Sequence, residues 1–137
     1  MRGWEDEKVE RIVKGSEEMG QDRWRTLEVW KLADDFAFCV YDATRRFPKE
    51  EMFGITSQVR RAALSVPTNL VEGYSRKGDK ELSHFVNICL GSLAEAKYLL
   101  TFAFRLRYLP EEQYKDLIEK AEHLGKLLWG FYRKVRG

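Results

Sequence analysis

The 137-residue sequence has few of the residues that mark several common classes of protein. It contains two cysteines, Cys39 and Cys89, too few for a disulfide framework, and both fall in apolar segments typical of buried, reduced thiols. No apolar run approaches the roughly 20 residues that cross a membrane, and the charged N-terminus is unlike a signal peptide. These absences predict a cytoplasmic protein without a membrane segment.

Excess charge of one sign is also scarce, because the formal net charge is only +2. Positive charge is nevertheless concentrated in two segments, residues 59–77 and 126–137. Their basic residues are candidates for binding the phosphates of a nucleic acid: Arg60, Arg61, Arg76, Lys77, Arg133, Lys134 and Arg136. A solvated helix face followed by a basic tail explains the same pattern, so both interpretations stay open.

The chain has only three prolines and ten glycines, which leaves long segments free to be helical. Apolar residues at spacings of three and four predict four helices. Their approximate ranges are residues 27–46, 54–74, 80–108 and 110–135. Short loops between helices of this length predict an all-α fold, an antiparallel up-down-up-down four-helix bundle over residues 24–137.

The ends of these helices follow from local signals. Pro48 and Pro110 end the first and third helices, Gly78 breaks the chain after the second, and Asp79 is the expected N-cap of the third. Residues 1–23 form a short charged N-terminal arm with room for a helix around residues 4–14, because Gly15 and Gly20 interrupt anything longer.

Aromatic residues are more numerous than the inner faces of four helices need. Eight of them lie partly off those faces: Trp30, Phe38, Tyr98, Phe102, Phe104, Tyr108, Trp129 and Tyr132. Apolar groups that gather on one side of a bundle exceed the patch size of a typical monomer and mark an interface. The surplus therefore favours a homo-oligomer.

Groups with the spacing of a catalytic or metal site are missing. The only histidines, His84 and His123, have no cysteine or second histidine at metal-ligand spacing, and no Glu-x-x-His pair or glycine-rich phosphate loop occurs. The prediction is a protein that is not an enzyme and has no metal and no cofactor.

The second predicted helix carries a proline and an ordered set of polar residues. Its polar stripe has spacings of four, four, three and four: Arg61, Ser65, Asn69, Glu72 and Arg76. These positions share a helix face, Glu72 and Arg76 are spaced to pair, and Pro67 is expected to bend the helix. The stripe is either a solvated face or a polar network with a subunit or ligand. Gly91, Ser92 and Glu95 form a matching group on the third helix, where the small residues permit close approach.

The stretch "QVRRAALSVPTNLVEGYSR" resembles the hallmark of the four-helix-bundle proteins encoded in intervening sequences of bacterial 23S ribosomal RNA genes. "LEVWKLADDF" and "HFVNICLGSLAEAKYLL" resemble the same family's first and third helices. The motif residues are Arg60, Arg61, Ser65, Pro67, Asn69, Glu72, Gly73, Arg76, Gly91, Ser92 and Glu95. The resemblance implies a ring-like homopentamer, similar to the accessory proteins of diversity-generating retroelements, which work with a reverse transcriptase and RNA.

Together these observations predict a non-enzymatic, homo-oligomeric bundle that binds RNA or another nucleic acid through its basic clusters. The alternative is a protein-interaction scaffold or accessory factor, for example to a reverse transcriptase, with no direct role in binding nucleic acid.

Overall fold

The computed structural model describes residues 4–19 and 23–136, and these two stretches contain no strand. They form five α-helices and two short 3₁₀ turns, Arg23–Thr26 and Lys49–Glu51. The helices are α1 (Trp4–Met19), α2 (Glu28–Thr44), α3 (Ile55–Ser75), α4 (Asp79–Arg105) and α5 (Glu111–Arg136). The predicted all-α fold is confirmed.

Helices α2 to α5 form the predicted antiparallel bundle. Lys97 Nζ of α4 lies 2.8 Å from Glu122 Oε1 of α5. Thr101 comes later in α4, and its hydroxyl lies 2.9 Å from the hydroxyl of Tyr114, which comes earlier in α5. The two helices therefore run in opposite directions. Helices α2 and α4 each pack against α3 and α5, so they lie diagonally opposite one another.

The core consists of the apolar stripes that the helical spacing predicts. Its largest fully buried aromatic and leucine side chains are Phe36, Leu70, Leu100, Leu117, Leu124 and Leu128. Each contributes about 1.5–3 kcal/mol by leaving water. Alanines such as Ala33, Ala63 and Ala96 are equally buried and let the helices approach around these larger groups.

Two helix boundaries predicted from glycine residues differ in the structure. Gly78, with φ of +92°, occupies the N-cap position of α4, so Asp79 is the first helical residue and not the cap. Its carboxylate lies in the first turn, where it complements the positive end of the helix dipole. Helix α1 continues through Gly15 to Met19 instead of ending near residue 14, while Gly20 lies outside the described residues.

Helix α4 ends at Arg105, three residues before the predicted limit, because the chain reverses there in a Schellman motif. The N–H of Tyr108 donates to the Ala103 carbonyl at 3.0 Å, and the N–H of Arg107 donates to the Phe104 carbonyl at 2.9 Å. This motif needs a left-handed residue, and Arg107 supplies it with φ of +67°. Glycine usually occupies that position because a Cβ is strained there.

We therefore expect Arg107→Gly to stabilise the protein. Removing the Cβ from a residue in the left-handed conformation stabilises the folded protein by about 1–2 kcal/mol. The greater conformational freedom of glycine in the unfolded chain offsets about 0.4–1 kcal/mol of this stabilisation. Urea unfolding at one fixed protein concentration should show a gain in the free energy of unfolding of up to about 1.6 kcal/mol. Arg107→Ala is the control, because it removes the charge but keeps the Cβ. An equal gain in both variants would contradict the strain argument.

Candidate functional site

Part of the polar stripe of α3 faces α4. The Oγ atoms of Ser65 and Ser92 lie 2.9 Å apart. Asn69 donates from Nδ2 to the Ser65 carbonyl and to Ser65 Oγ, both at 2.8 Å. All three side chains are half-buried. The stripe is thus a polar network at its centre, and that network joins two helices of the same chain.

A buried thiol lies beside this network. Cys89 Sγ lies 3.2 Å from the carbonyl oxygen of Val66, the residue before Pro67. Burial raises the pKa of Cys89 to about 12, so the thiol stays protonated and can donate to that carbonyl. Helix α3 is continuous through Pro67, which is buried and lacks an N–H. Cys39, expected to be buried, is only half-buried.

The end of the stripe lies at the surface. Arg76 donates to Glu72 in the ion pair that their spacing predicts, and both side chains are about half exposed. The Arg76 guanidinium also lies over the Phe85 ring, 5.6 Å from its centroid. Lys77 follows in the exposed turn before α4. An exposed pair at this spacing contributes only about 0.3–0.5 kcal/mol.

Arg60 has a different role from the other basic candidates. Its Nε donates to Thr44 Oγ1 at 2.7 Å, and its Nη2 donates to the Tyr41 carbonyl at 3.3 Å. Because α2 ends at Thr44, that carbonyl is one of the last four that lack a backbone N–H partner, and it accepts from Thr44 Oγ1 at 3.1 Å as well as from Arg60. Arg60 therefore completes the end of α2 and is half-buried, whereas Arg61 is exposed.

Sequence reasoning missed Thr44 as a partner of this arginine. Thr44 is a buried polar residue, 2% exposed, and it precedes Arg60 by 16 positions. No local spacing links two residues so far apart, so only the packing of α2 against α3 shows the contact.

The motif glycines also differ from one another. A Cβ on Gly73 would lie 2.7 Å from Phe85 Cβ and 3.1 Å from Leu82 Cδ1, so Gly73 is the residue that lets α3 and α4 approach closely. A Cβ on Gly91 would meet no atom within 4 Å, so the expectation that Gly91 serves this approach is wrong. Glu95, one turn further along, is exposed.

The structure brings most of the basic candidates to one end of the bundle. Helices α3 and α5 run in the same direction, because each is antiparallel to α4. Arg76 and Lys77 at the end of α3 therefore share a bundle end with the last turn of α5. That turn holds three more candidates: Arg133, Lys134 and Arg136. Arg60 and Arg61 lie apart from this basic end.

Two aromatic rings adjoin the basic end, Trp129 exposed and Tyr132 half-buried. Trp129 and Tyr132 of α5 stack with their centroids 5.6 Å apart, and the Arg136 guanidinium lies over Tyr132. Negative charge is also present, because Glu72 pairs with Arg76 and two acids, Asp79 and Glu81, open α4. The positive excess therefore comes mainly from α5, which has no acidic residue after Glu122.

A cleft of about 290 Å³ lies between α2 and α5, away from the motif. It is lined by Leu32, Asp35, Asp116, Glu119, Lys120 and His123. Lys120 Nζ donates to Asp35 at 3.2 Å, and this bond raises the pKa of Lys120. Within residues 4–19 and 23–136, no group of three metal-ligating side chains is close enough to hold a metal ion.

The architecture defines the class of protein as a four-helix bundle with an additional N-terminal helix. Among the described helices, none is long and apolar enough to span a membrane. The family model described as "23S rRNA-intervening sequence protein" matches residues 25–130, and the chain belongs to that family. A solved structure of similar fold is a protein of unknown function from the S23 ribosomal protein family of Bacteroides thetaiotaomicron. It is 23% identical with a TM-score of 0.71, over 77% of this chain and 95% of the other. The comparison with curated proteins gives no match.

We expect Asn69→Ala to destabilise the fold more than Glu72→Ala does. The Asn69 amide is half-buried and makes two hydrogen bonds, whose loss costs about 1 kcal/mol, whereas the exposed Glu72 pair contributes less than about 0.5 kcal/mol. Urea unfolding measures both changes. Asn87→Ala, at an exposed position of α4, corrects for the higher helix propensity of alanine. Equal losses for Asn69→Ala and Asn87→Ala would show that the network adds no stability.

Gly73→Ala should destabilise by about 1–3 kcal/mol, because the new methyl group forces α3 and α4 apart. Gly130→Ala is the matched control, since a Cβ there meets no atom within 4 Å. It should raise stability by up to about 1 kcal/mol through helix propensity. Thermal unfolding at equal protein concentrations compares the two variants. The close-approach argument fails if both changes have the same sign.

Proposed function

We propose that this protein is a self-associating helical bundle of the cytoplasm that binds structured RNA at its basic end and catalyses no reaction. The observation that carries the proposal is the presence of two basic clusters at the same end of the bundle. Arg76 and Lys77 are more than 50 positions from Arg133 in the sequence, yet α3 and α5 end together. A local excess of lysine and arginine attracts phosphates even where the net charge of the whole protein is small.

The aromatic residues of α5 support RNA as the nucleic acid. Trp129 is about half exposed and Tyr132 is half-buried, and both lie within two turns of the three basic residues. Unpaired bases stack on such rings and on arginine planes, and loops and bulges of folded RNA expose such bases.

Self-association is supported by the exposed aromatic residues. Of the eight surplus aromatics, Phe38, Tyr98, Phe102 and Trp129 are exposed, while the others are partly buried. The family resemblance adds the expectation of a pentamer.

The test is the affinity for a fluorescent RNA hairpin with an unpaired loop, measured by anisotropy over a range of salt concentrations. We expect the triple variant Arg133→Gln, Lys134→Gln and Arg136→Gln to bind at least tenfold more weakly at low salt. The slope of log affinity against log salt should also become shallower, because fewer phosphates are neutralised.

The control variant, Arg46→Gln, Lys49→Gln and Arg107→Gln, removes the same charge from exposed residues at the opposite end of the bundle. It should retain the affinity of the unmodified protein within about twofold. Equal weakening by both triple variants would show that RNA binding depends on the net charge of the protein and not on the basic end. Absence of binding by the unmodified protein at low salt would reject the proposal.

A scaffold for another protein is the second candidate, with a reverse transcriptase among the partners that the resemblance implies. The observation in its favour is Phe53, which is 93% exposed beside the exposed Met52 in the turn before α3. The turn is held by Glu51, whose carboxylate accepts bonds from Tyr108 and from the N–H of Ile55. A purified partner that loses affinity for the variant Phe53→Asp, with RNA absent, would favour this function.

A further inference from the structure

Helix α1 has an apolar side that the bundle leaves uncovered. Every described side chain of this helix, from Glu5 to Ile12, is exposed, and among the described residues α1 shares no extensive interface with another helix. Val9 and Ile12 are three positions apart on one helix face, and they are 56% and 63% exposed. The matched range of the family model, residues 25–130, does not include α1. The helix therefore lies outside the matched bundle and presents an apolar face that can bind another surface.

The same helix carries negative charge. Residues 4–19 contain six acidic and three basic residues, which gives a net charge of −3. Three of the acids, Glu5, Asp6 and Glu7, are exposed in its first turn. A basic surface complements such a helix, and the basic end of the bundle is a surface of this kind.

The connectivity of the chain holds α1 beside the basic end. Arg60, early in α3, bonds to Thr44 at the end of α2, so the two helices are antiparallel and α2 begins where α3 ends. The 3₁₀ turn Arg23–Thr26 precedes α2 and contacts both α2 and α3. Only residues 20–22 separate this turn from Met19, the last residue of α1. Even a fully extended chain therefore keeps the end of α1 within about 14 Å of the turn.

The size and the apolar groups of the basic end suit α1. A helix of 16 residues is about 24 Å long, and two helices side by side, each about 10 Å across, give the bundle end a width of about 20 Å. One helix laid across the end therefore covers it. Half-buried apolar side chains lie near the ends of three helices there: Leu27, Leu82 and Tyr132. These side chains offer contacts to the apolar face of α1, while its acids reach the surrounding lysines and arginines.

We infer that α1 lies across the basic end when no RNA is bound, and that RNA binds by displacing it. The inference rests on the proposed RNA-binding function and adds a regulation of that site. A tether of three residues gives α1 an effective concentration on the order of 1 mM, so a contact too weak to join separate molecules still occupies the end. An RNA that neutralises one or two basic residues does not displace α1, whereas a folded RNA that spans the whole end does.

The first test neutralises three acids of α1 in the whole chain, with the changes Glu5→Gln, Asp6→Asn and Glu7→Gln. The apparent affinity for RNA is reduced to the fraction of molecules whose basic end is open, so releasing α1 raises it. The fluorescent RNA hairpin should bind this variant at least about fivefold more tightly than the unmodified protein at low salt. Far-UV circular dichroism verifies that the helix content is retained.

The matched control is the triple variant Glu50→Gln, Glu111→Gln and Glu112→Gln. It changes the net charge by the same amount, and all three residues are exposed at the opposite end of the bundle. Two of them also lie in the first turn of a helix, as the acids of α1 do. This variant should bind the hairpin within about twofold of the unmodified protein. Equal tightening by the two triple variants would overturn the inference.

A second variant, Val9→Ser with Ile12→Ser, separates docking from repulsion at a distance. It keeps every charge of α1 and removes the apolar contact, and serine has a helix propensity close to those of valine and isoleucine. If α1 docks on the basic end, the hairpin should bind this variant at least about twofold more tightly. An unchanged affinity would show that the acids only repel RNA, and the inference would then be wrong.

A third measurement detects the contact without RNA. A nitroxide is attached at Arg11→Cys in a Cys39→Ala background, where Cys89 does not react because burial raises its pKa to about 12. In nuclear magnetic resonance spectra, the nitroxide should broaden the backbone amide signals of the last turn of α5. Adding the three neutralising changes in α1 should restore those signals. Broadening that is equal with and without these changes would contradict docking through charge.

The measurements distinguish this inference from the function on which it rests. If no form of the protein binds the hairpin at low salt, the proposed function is rejected, and the spectra alone decide whether α1 docks. If the unmodified protein binds the hairpin and neither α1 variant binds it more tightly, RNA binding stands and the regulation by α1 is rejected.

Discussion

The close approach of α3 and α4 is the constraint on which the rest of the bundle depends. At one end of the contact Gly73 presents no Cβ to Phe85, and at the centre the hydroxyl groups of Ser65 and Ser92 meet. The glycine sets the distance between the helices, and the hydroxyl pair sets their register, because a shift by one residue separates the two oxygens. With that hairpin fixed, α2 and α5 complete the bundle on either side of it.

Much of the fold follows from the sequence because helical periodicity is a local signal. The apolar spacing locates α2 to α5, and most of the buried apolar residues are those of the predicted stripes. The ends of the helices are harder to predict from the sequence. The end of α4, for example, depends on Arg107 adopting a left-handed conformation that its residue type disfavours. Arg60 shows the limit for sites, because its charge suggests a phosphate ligand and its contacts with Thr44 and Tyr41 arise only when α2 packs on α3.

The basic end arises from topology, which neither cluster reveals alone. In an up-down-up-down bundle the second and fourth helices, here α3 and α5, end at the same end of the bundle, so basic residues in their last turns come to one end although the two helices lie diagonally opposite. Basic residues also favour the C-terminal turn of a helix, where they complement the dipole, so Arg133, Lys134 and Arg136 stabilise α5 as well as charging the surface. Their value for binding phosphate therefore depends on having two such helix termini at one end of the bundle.

The proposed self-association bears on how strongly the basic end can bind RNA. A single end has limited affinity, because Glu72, Asp79 and Glu81 offset part of its charge. An oligomer in which several basic ends reach the same folded RNA binds it at several points, and each further contact adds to the affinity without a large positive charge on any one chain.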